Sequence, residues 1–92
     1  MGKCDKLLEK ARNAPHNLRF SELCALAACW GYELTAKRGS HRKYKQASLR
    51  LPALHAMQVF QNVKGAAKPY QVDQLLDAID YIEEHYPDFK RE

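Results

Sequence analysis

Hydrophobic residues recur every three or four positions in three stretches of the chain, which is the spacing of one face of an α-helix. The first stretch covers 3–13 and ends before Pro15, because the residue before a proline avoids helical backbone angles. The second is predicted to start behind Ser21 as its N-cap and to end at Gly31, since glycine suits the left-handed conformation that closes a helix. The third starts at Pro69, because proline is favoured at the first helical position. The apolar positions are Leu7, Leu8 and Ala11, then Leu23, Leu26, Ala27 and Trp30, then Val72, Leu75, Leu76, Ile79, Ile82 and Tyr86.

Between the second and third helices the period changes to two, which predicts strands. Gly39-Ser40 is predicted to form a two-residue type II′ turn, because glycine suits its first central position. A short strand from His41 to Gln46 follows the turn, residues 47–56 are expected to form a loop, and a third strand covers Met57 to Val63. The inward positions of the strand before the turn are predicted to be Tyr32, Leu34 and Ala36.

This order of elements predicts an α+β fold, in which a three-stranded antiparallel sheet is covered on one face by helices. The 92 residues fit one domain. We divide the chain into an N-terminal helix and linker at 1–16, a main domain at 17–86 and a tail at 87–92. No apolar run approaches the roughly 18 residues that a membrane span requires, so we expect no membrane partner.

The net charge of +4 is distributed unevenly along the chain. Residues 35–70 contain eight Lys/Arg and no acid, whereas residues 71–92 contain two Lys/Arg and seven acids. A basic block without acids is typical of a surface that binds a polyanion. The alternative is a lysine-rich sheet that only interacts with water.

The three cysteines, Cys4, Cys24 and Cys29, are odd in number and form no Cys-x-x-Cys pair. We therefore expect neither a zinc site nor a disulfide framework, and we interpret Cys24 and Cys29 as small packing residues. Unpaired cysteines fit a reducing cytoplasm.

The turn places one imidazole among fixed positive charges. Because side chains alternate along a strand, a buried Tyr44 would leave His41, Lys43 and Lys45 on an open face. A histidine titrates near neutral pH, so His41 could act as general acid or base while RNA supplies its own 2′-OH nucleophile. This chemistry requires no metal and no cofactor. The residues expected to contact RNA are Lys37, Arg38, Ser40, Arg42, Lys43, Lys45 and Lys68. The alternative for His41 is a hairpin histidine that faces solvent without a function.

Four motifs carry a resemblance to a known family, and they occur in the family's order. They are Arg19-Phe20-x-x-Leu23, then Trp30-Gly31-Tyr32-Glu33-Leu34, then Lys37-Arg38-Gly39-Ser40-His41, and then the run from Asn62 to Val72 that contains Lys68-Pro69-Tyr70-Gln71-Val72. Over roughly residues 17–82 the chain resembles the HicA toxins, the YcfA-like mRNA interferases. The resemblance implies a fold like the double-stranded-RNA-binding domain and ribonuclease activity with His41 as the catalytic residue. It also implies a HicB antitoxin partner that covers this histidine. Within the last motif we interpret Pro69 and Tyr70 as helix-start and core residues.

Two other classes of function remain open from the sequence. One is a non-catalytic module that binds RNA by the shape of its backbone. The other is a protein-interaction module whose basic face binds an acidic partner and never cleaves RNA.

Overall fold

The computed structural model describes residues 2–89 and has the predicted order of helices and strands, with two short elements added, a 3-10 helix at Pro15–Asn17 and an α-helix at Ala53–Ala56. The helices are α1 (Lys3–Asn13), α2 (Phe20–Cys29), α3 (Ala53–Ala56) and α4 (Pro69–His85), and the strands are β1 (Glu33–Arg38), β2 (His41–Lys45) and β3 (Met57–Gln61). The strands form one antiparallel sheet in the order β1-β2-β3, so the α+β prediction is confirmed. Residues 90–92 of the predicted tail lie outside the described residues.

The hydrophobic core lies between the helices and one face of the sheet. The predicted stripe of α2 is buried, and that of α4 is buried except for Leu76 and Tyr86, which are partly exposed. Phe60 of β3 is fully buried beside the ring of Tyr44, with ring centroids 5.3 Å apart. The opposite side of α4 is exposed and acidic, as its sequence predicts. Its carboxylates are Asp73, Asp77, Asp80, Glu83 and Glu84.

The start of α2 differs from the prediction. Ser21 is not the N-cap, because the helix begins two residues earlier than predicted, at Phe20, with Arg19 in the capping position. The N–H of Phe20 donates to the carbonyl of Gly65 at 2.9 Å, which holds the preceding backbone extended as far as Arg19. Glu22 then accepts a hydrogen bond from the Arg19 N–H at 2.9 Å and satisfies one donor at the helix start. At the other end, Gly31 has φ +85°, which confirms its predicted role.

The expectation that the cysteines are unpaired was wrong. Cys4 and Cys29 form a disulfide with their Cα atoms 5.9 Å apart, and Cys24 is the free cysteine. Cys4 lies in the first turn of α1 and Cys29 is the last residue of α2, so antiparallel packing of the two helices brings them together. The spacing of the cysteines along the chain does not show this packing. The argument from unpaired cysteines for a reducing compartment is therefore withdrawn.

The inward position predicted for Ala36 was wrong, whereas Tyr32 is buried and Leu34 points to the predicted side without being buried. The register shifts between Leu34 and Ala36, so Leu34 pairs with Tyr44 while Ala36 pairs with Lys43. Because directly opposite residues share a face, this bulge sends Ala36 to the open side of the sheet. Leu34 stays on the helix side but is 47% exposed, since no helix covers this edge strand.

The segment after β2 is more ordered than predicted. Within the expected loop 47–56, Ala53–Ala56 form α3, whose first turn closes when the N–H groups of His55 and Ala56 donate to the Pro52 carbonyl. The third strand ends at Gln61 rather than at Val63, because the chain turns back at Lys64 and Gly65, which both have positive φ.

Candidate nucleic-acid interface

The β1–β2 hairpin has the two-residue turn that its sequence predicts. Arg38 and His41 are register partners, and Gly39 between them has φ +58°. Ser40 does not have a positive φ, so the turn fits type II′ with glycine in its first central position. The N–H of Asn62 donates to the Ser40 carbonyl at 2.8 Å and fastens the turn to the chain after β3.

The side chains of β2 alternate as predicted. His41, Lys43 and Lys45 are exposed, whereas Tyr44 is buried against the helices. Burial raises the pKa of Tyr44, and contact with Cys24 raises it further. Tyr44 therefore stays protonated near neutral pH, and it lies on the face of the sheet opposite His41.

The register places the partners of these three residues on the same surface, which we call the open face. Its first row is Arg38, His41 and Gln61, its second is Ala36, Lys43 and Val59, and its third is Glu33, Lys45 and Met57. At about 3.3 Å per residue, Lys45 lies roughly 13 Å along the strand from His41. The cations nearest to the imidazole are therefore those of the hairpin end.

Gln61 is a neighbour of His41 that the sequence pattern does not single out. The Gln61 N–H donates to Oε1 of Gln71 at 2.8 Å, and the next N–H, of Asn62, donates to the Ser40 carbonyl. His41 and Gln61 are thus a non-hydrogen-bonded pair, in which the Cα atoms lie about 4.5 Å apart and the side chains approach closely. Counting outward positions along β3, once its register with β2 is known, would have identified Gln61.

A groove of about 600 Å³ lies at this end of the open face. It is lined by Ala36, Lys37, Arg38, His41, Lys43 and Val59. The groove combines one imidazole with three fixed cations and an apolar floor, which suits an anionic ligand with an apolar part.

Not all of the residues expected to contact RNA lie on the open face. Lys37 pairs with Arg42 on the helix side of the sheet, although Lys37 still lines the groove. Arg42 is directed to the helices, with its guanidinium carbon 5.1 Å from the centroid of the Phe20 ring. Lys68 is the N-cap of α4 and lies beyond β3, where its Nζ is 5.8 Å from the centroid of the Tyr70 ring. Ser40 is exposed in the turn itself.

Tyr70 was interpreted as a core residue, and that interpretation was wrong. Its side chain is 55% exposed, because it occupies the second position of α4, ahead of the turn that packs on the sheet. Its place in the Lys-Pro-Tyr motif is the only sequence signal, and that signal does not distinguish a buried tyrosine from an exposed one.

The charge segregation of the sequence becomes a separation of surfaces. The open face is basic at the hairpin end, and its one acid, Glu33, pairs in register with Lys45 at the far end. The outer face of α4 is acidic. A polyanion is therefore attracted to the sheet and repelled by the outer face of α4.

Within residues 2–89, no three His, Cys, Asp or Glu side chains come together in the way a metal site requires. No helix in this part of the chain combines the length and apolarity needed to cross a bilayer. Comparisons with protein-family models, curated proteins and solved structures found no match to the chain.

Proposed function

We propose that this protein is an endoribonuclease of the HicA toxin type, an mRNA interferase in which His41 is the catalytic residue. The observation that carries the proposal is the exposed imidazole of His41 in a cationic groove, directly after a two-residue turn. The motifs shared with the HicA toxins support the same proposal. We also propose that the three-stranded sheet with α2 and α4 on one face is a variant of the double-stranded-RNA-binding-domain fold, extended by α1.

The proposed reaction uses the 2′-OH of the substrate as nucleophile. Neutral His41 takes the proton of this hydroxyl, the 2′ oxygen bonds to phosphorus, and the bond from phosphorus to the 5′ oxygen breaks. The leaving oxygen takes a proton from water, which has access because the groove is open, and the hydroxide that remains takes the proton from His41 and restores the neutral imidazole. Arg38 and Lys43 stabilise the negative charge that grows on the phosphorus oxygens. The products are a 2′,3′-cyclic phosphate and a 5′-hydroxyl, and no metal or cofactor takes part.

The proposed partners follow from the same surface. The RNA substrate is mRNA, which makes the cytoplasm the proposed location. A HicB-like antitoxin would cover the open face and keep His41 from RNA. Co-expression of such an antitoxin should restore growth to cells that the protein alone arrests.

The decisive experiment compares wild type with His41→Ala on unstructured RNA in the presence of EDTA. We expect His41→Ala to cleave about 10²- to 10⁴-fold more slowly, the usual contribution of a general acid or base. His85→Ala is the matched control, because His85 is also exposed but is the last residue of α4, at the opposite end of this helix from Lys68. An oligonucleotide with 2′-deoxyribose at the cleavage position should resist cleavage.

Three outcomes would contradict the proposal. Cleavage of RNA by His41→Ala at the wild-type rate would exclude His41 as the catalyst. Equal RNA binding by both proteins without cleavage would show the non-catalytic RNA-binding module instead. No affinity for RNA even at low salt would favour the protein-interaction module.

A further inference from the structure

Tyr70 is the one tyrosine of the chain whose side chain is mostly in water. Tyr32 and Tyr44 are buried, Tyr81 stacks between His55 and His85, and Tyr86 donates to the Arg50 carbonyl. An aromatic ring that is 55% exposed adds little to the core. Its exposure leaves it available to a ligand.

The hydroxyl of Tyr70 is held beside the row of the open face that contains His41. Nε2 of Gln71 donates to this hydroxyl at 3.3 Å, and Oε1 of the same side chain accepts from the Gln61 N–H at 2.8 Å. Gln71 is 4% exposed, so its amide is a fixed link between the two. Because Gln61 is the register partner of His41, the link places Tyr70 just beyond β3 at the catalytic end of the sheet.

A cation accompanies the ring. Nζ of Lys68 lies 5.8 Å from the centroid of Tyr70, and Lys68 is only partly buried. Proteins that bind single strands combine aromatic side chains, on which bases stack, with cations that contact the backbone. A paired base is stacked within its own helix and cannot lie on such a ring, whereas an unpaired base can.

We propose that Tyr70 and Lys68 form a stacking site for an unpaired base of the RNA whose backbone crosses the groove at His41, with Lys68 contacting a phosphate. The inference rests on the proposed ribonuclease function and deepens it. It assigns unpaired RNA, rather than duplex RNA, as the substrate class. The bound RNA strand would run from the β1–β2 hairpin, across the end of β3, to the start of α4.

The first test measures KM and kcat for an unstructured RNA and for the same RNA annealed to its complement. Tyr70→Leu removes the ring and should raise KM for the unpaired RNA by roughly 5- to 150-fold, the effect of losing one stacked base. The value of kcat should fall far less. Tyr70→Phe keeps the ring and loses the hydrogen bond to Gln71, so its KM should rise much less than that of Tyr70→Leu. Equal effects of the two substitutions would show that the hydroxyl only supports the local structure, and they would overturn the stacking site.

The second test needs no catalysis. Tyr70→Trp in a His41→Ala background places an exposed indole at the site, while the native Trp30 is 1% exposed and changes little. Unpaired RNA should quench the new fluorescence, and duplex RNA and polyphosphate should not. Leu54→Trp is the matched control. Leu54 is 75% exposed, but it lies in α3, next to the Met57 end of β3 and not next to the Gln61 end beside His41. Quenching by duplex RNA as strong as by unpaired RNA would overturn the proposal.

The two tests separate failure of the site from failure of the enzyme. If wild type cleaves RNA while Tyr70→Leu keeps the wild-type KM and Tyr70→Trp is not quenched, the stacking site is wrong and the ribonuclease stands. If wild type cleaves no RNA, the ribonuclease is wrong. The fluorescence then decides the binding site: selective quenching by unpaired RNA supports it, and no quenching overturns it.

Discussion

The β1–β2 hairpin and the helical layer of α1, α2 and α4 differ most in how much they bury. All six residues of β1 are exposed, whereas α4 alone buries six, among them Val72, Leu75, Ile79 and Ile82. The free energy of burial scales with the apolar area removed from water, so the helical layer supplies most of the stability. The hairpin, in contrast, presents Arg38, His41 and Lys43 to solvent on a backbone held by its neighbours.

The two regions are also fastened differently. The helices are joined across the layer by the Cys4–Cys29 disulfide and by an ion pair between Arg12 and Asp80 at 2.6 Å. The hairpin is held by backbone hydrogen bonds, among them the one from Asn62 to Ser40. Substitutions of the exposed side chains of the hairpin should therefore change RNA cleavage with little effect on stability, whereas substitutions of buried side chains in the helical layer should do the reverse.

The largest expected effect on stability is the difference between truncating a buried leucine of α4 and truncating an exposed leucine of β1. Leu75→Ala in α4 should lower the free energy of unfolding by about 2–5 kcal/mol, because Leu75 is fully buried and the substitution leaves a cavity. Leu34→Ala in β1 should cost less than about 0.5 kcal/mol, because that side chain is half in solvent. Urea denaturation of the two variants measures both. A cost above roughly 1 kcal/mol for Leu34→Ala would show that the hairpin belongs to the core after all.

The next largest effect is expected from breaking the disulfide that joins α1 to α2. The disulfide closes a loop across 25 positions of sequence, and the loss of loop entropy in the unfolded chain makes it worth roughly 3 kcal/mol. Reductant should lower the urea midpoint of wild type to that of Cys4→Ser/Cys29→Ser, and it should leave the double variant unchanged. Wild type and Cys4→Ser/Cys29→Ser should cleave RNA at the same rate, because neither cysteine lines the groove.

Cys24→Ser is the matched control for that experiment, because Cys24 is the free cysteine of the described residues. It should keep the full response to reductant. A wild type without such a response would mean that the two sulfur atoms are not bonded in solution.

The helical layer was largely predictable from the sequence, because a long amphipathic helix repeats its signal over many residues. The 3.6-residue period identified the buried positions of α4, and Pro15 and Pro69 set two helix ends within the chain. The turn was also predictable, since Gly39 needs a positive φ that other residues avoid. The side chains of β2 that face outward were also predicted correctly, because they alternate with Tyr44, which was assigned to the core.

The rest depends on contacts between distant segments, which periodicity does not show. The bulge in β1 reverses the face of Ala36, so simple alternation gave the wrong side. The start of α2 is set by the Phe20–Gly65 hydrogen bond, across 45 positions of sequence. The candidate site shows the same limit. His41 was found from local pattern, but its neighbour Gln61 needs the β2–β3 register and the exposure of Tyr70 needs the packing of α4.

The smallest effect concerns the ion pair that joins α1 to α2. Nζ of Lys10 lies 2.9 Å from Oε1 of Glu22, and this contact, together with the Arg19 N–H, lowers the pKa of Glu22 from 4.5. Because the pKa is lower in the folded state, Glu22 stabilises the protein at pH values above 4.5, and the contribution is lost as pH falls through the folded-state pKa. Both side chains are partly in solvent, so Glu22→Gln should cost only about 0.5–1 kcal/mol at neutral pH.

The pH dependence distinguishes this contribution from a general effect of charge. The stability difference between wild type and Glu22→Gln, measured by urea denaturation, should shrink steadily as the pH is lowered below 4.5. Glu84→Gln on the exposed face of α4 corrects for the loss of one carboxylate from an acidic surface. RNA cleavage near neutral pH should not distinguish Glu22→Gln from wild type, because the pair lies in the helical layer and not in the groove. A difference that persists unchanged in acid would mean that Glu22 acts by packing rather than through its charge, and the helical layer would then be held without this ion pair.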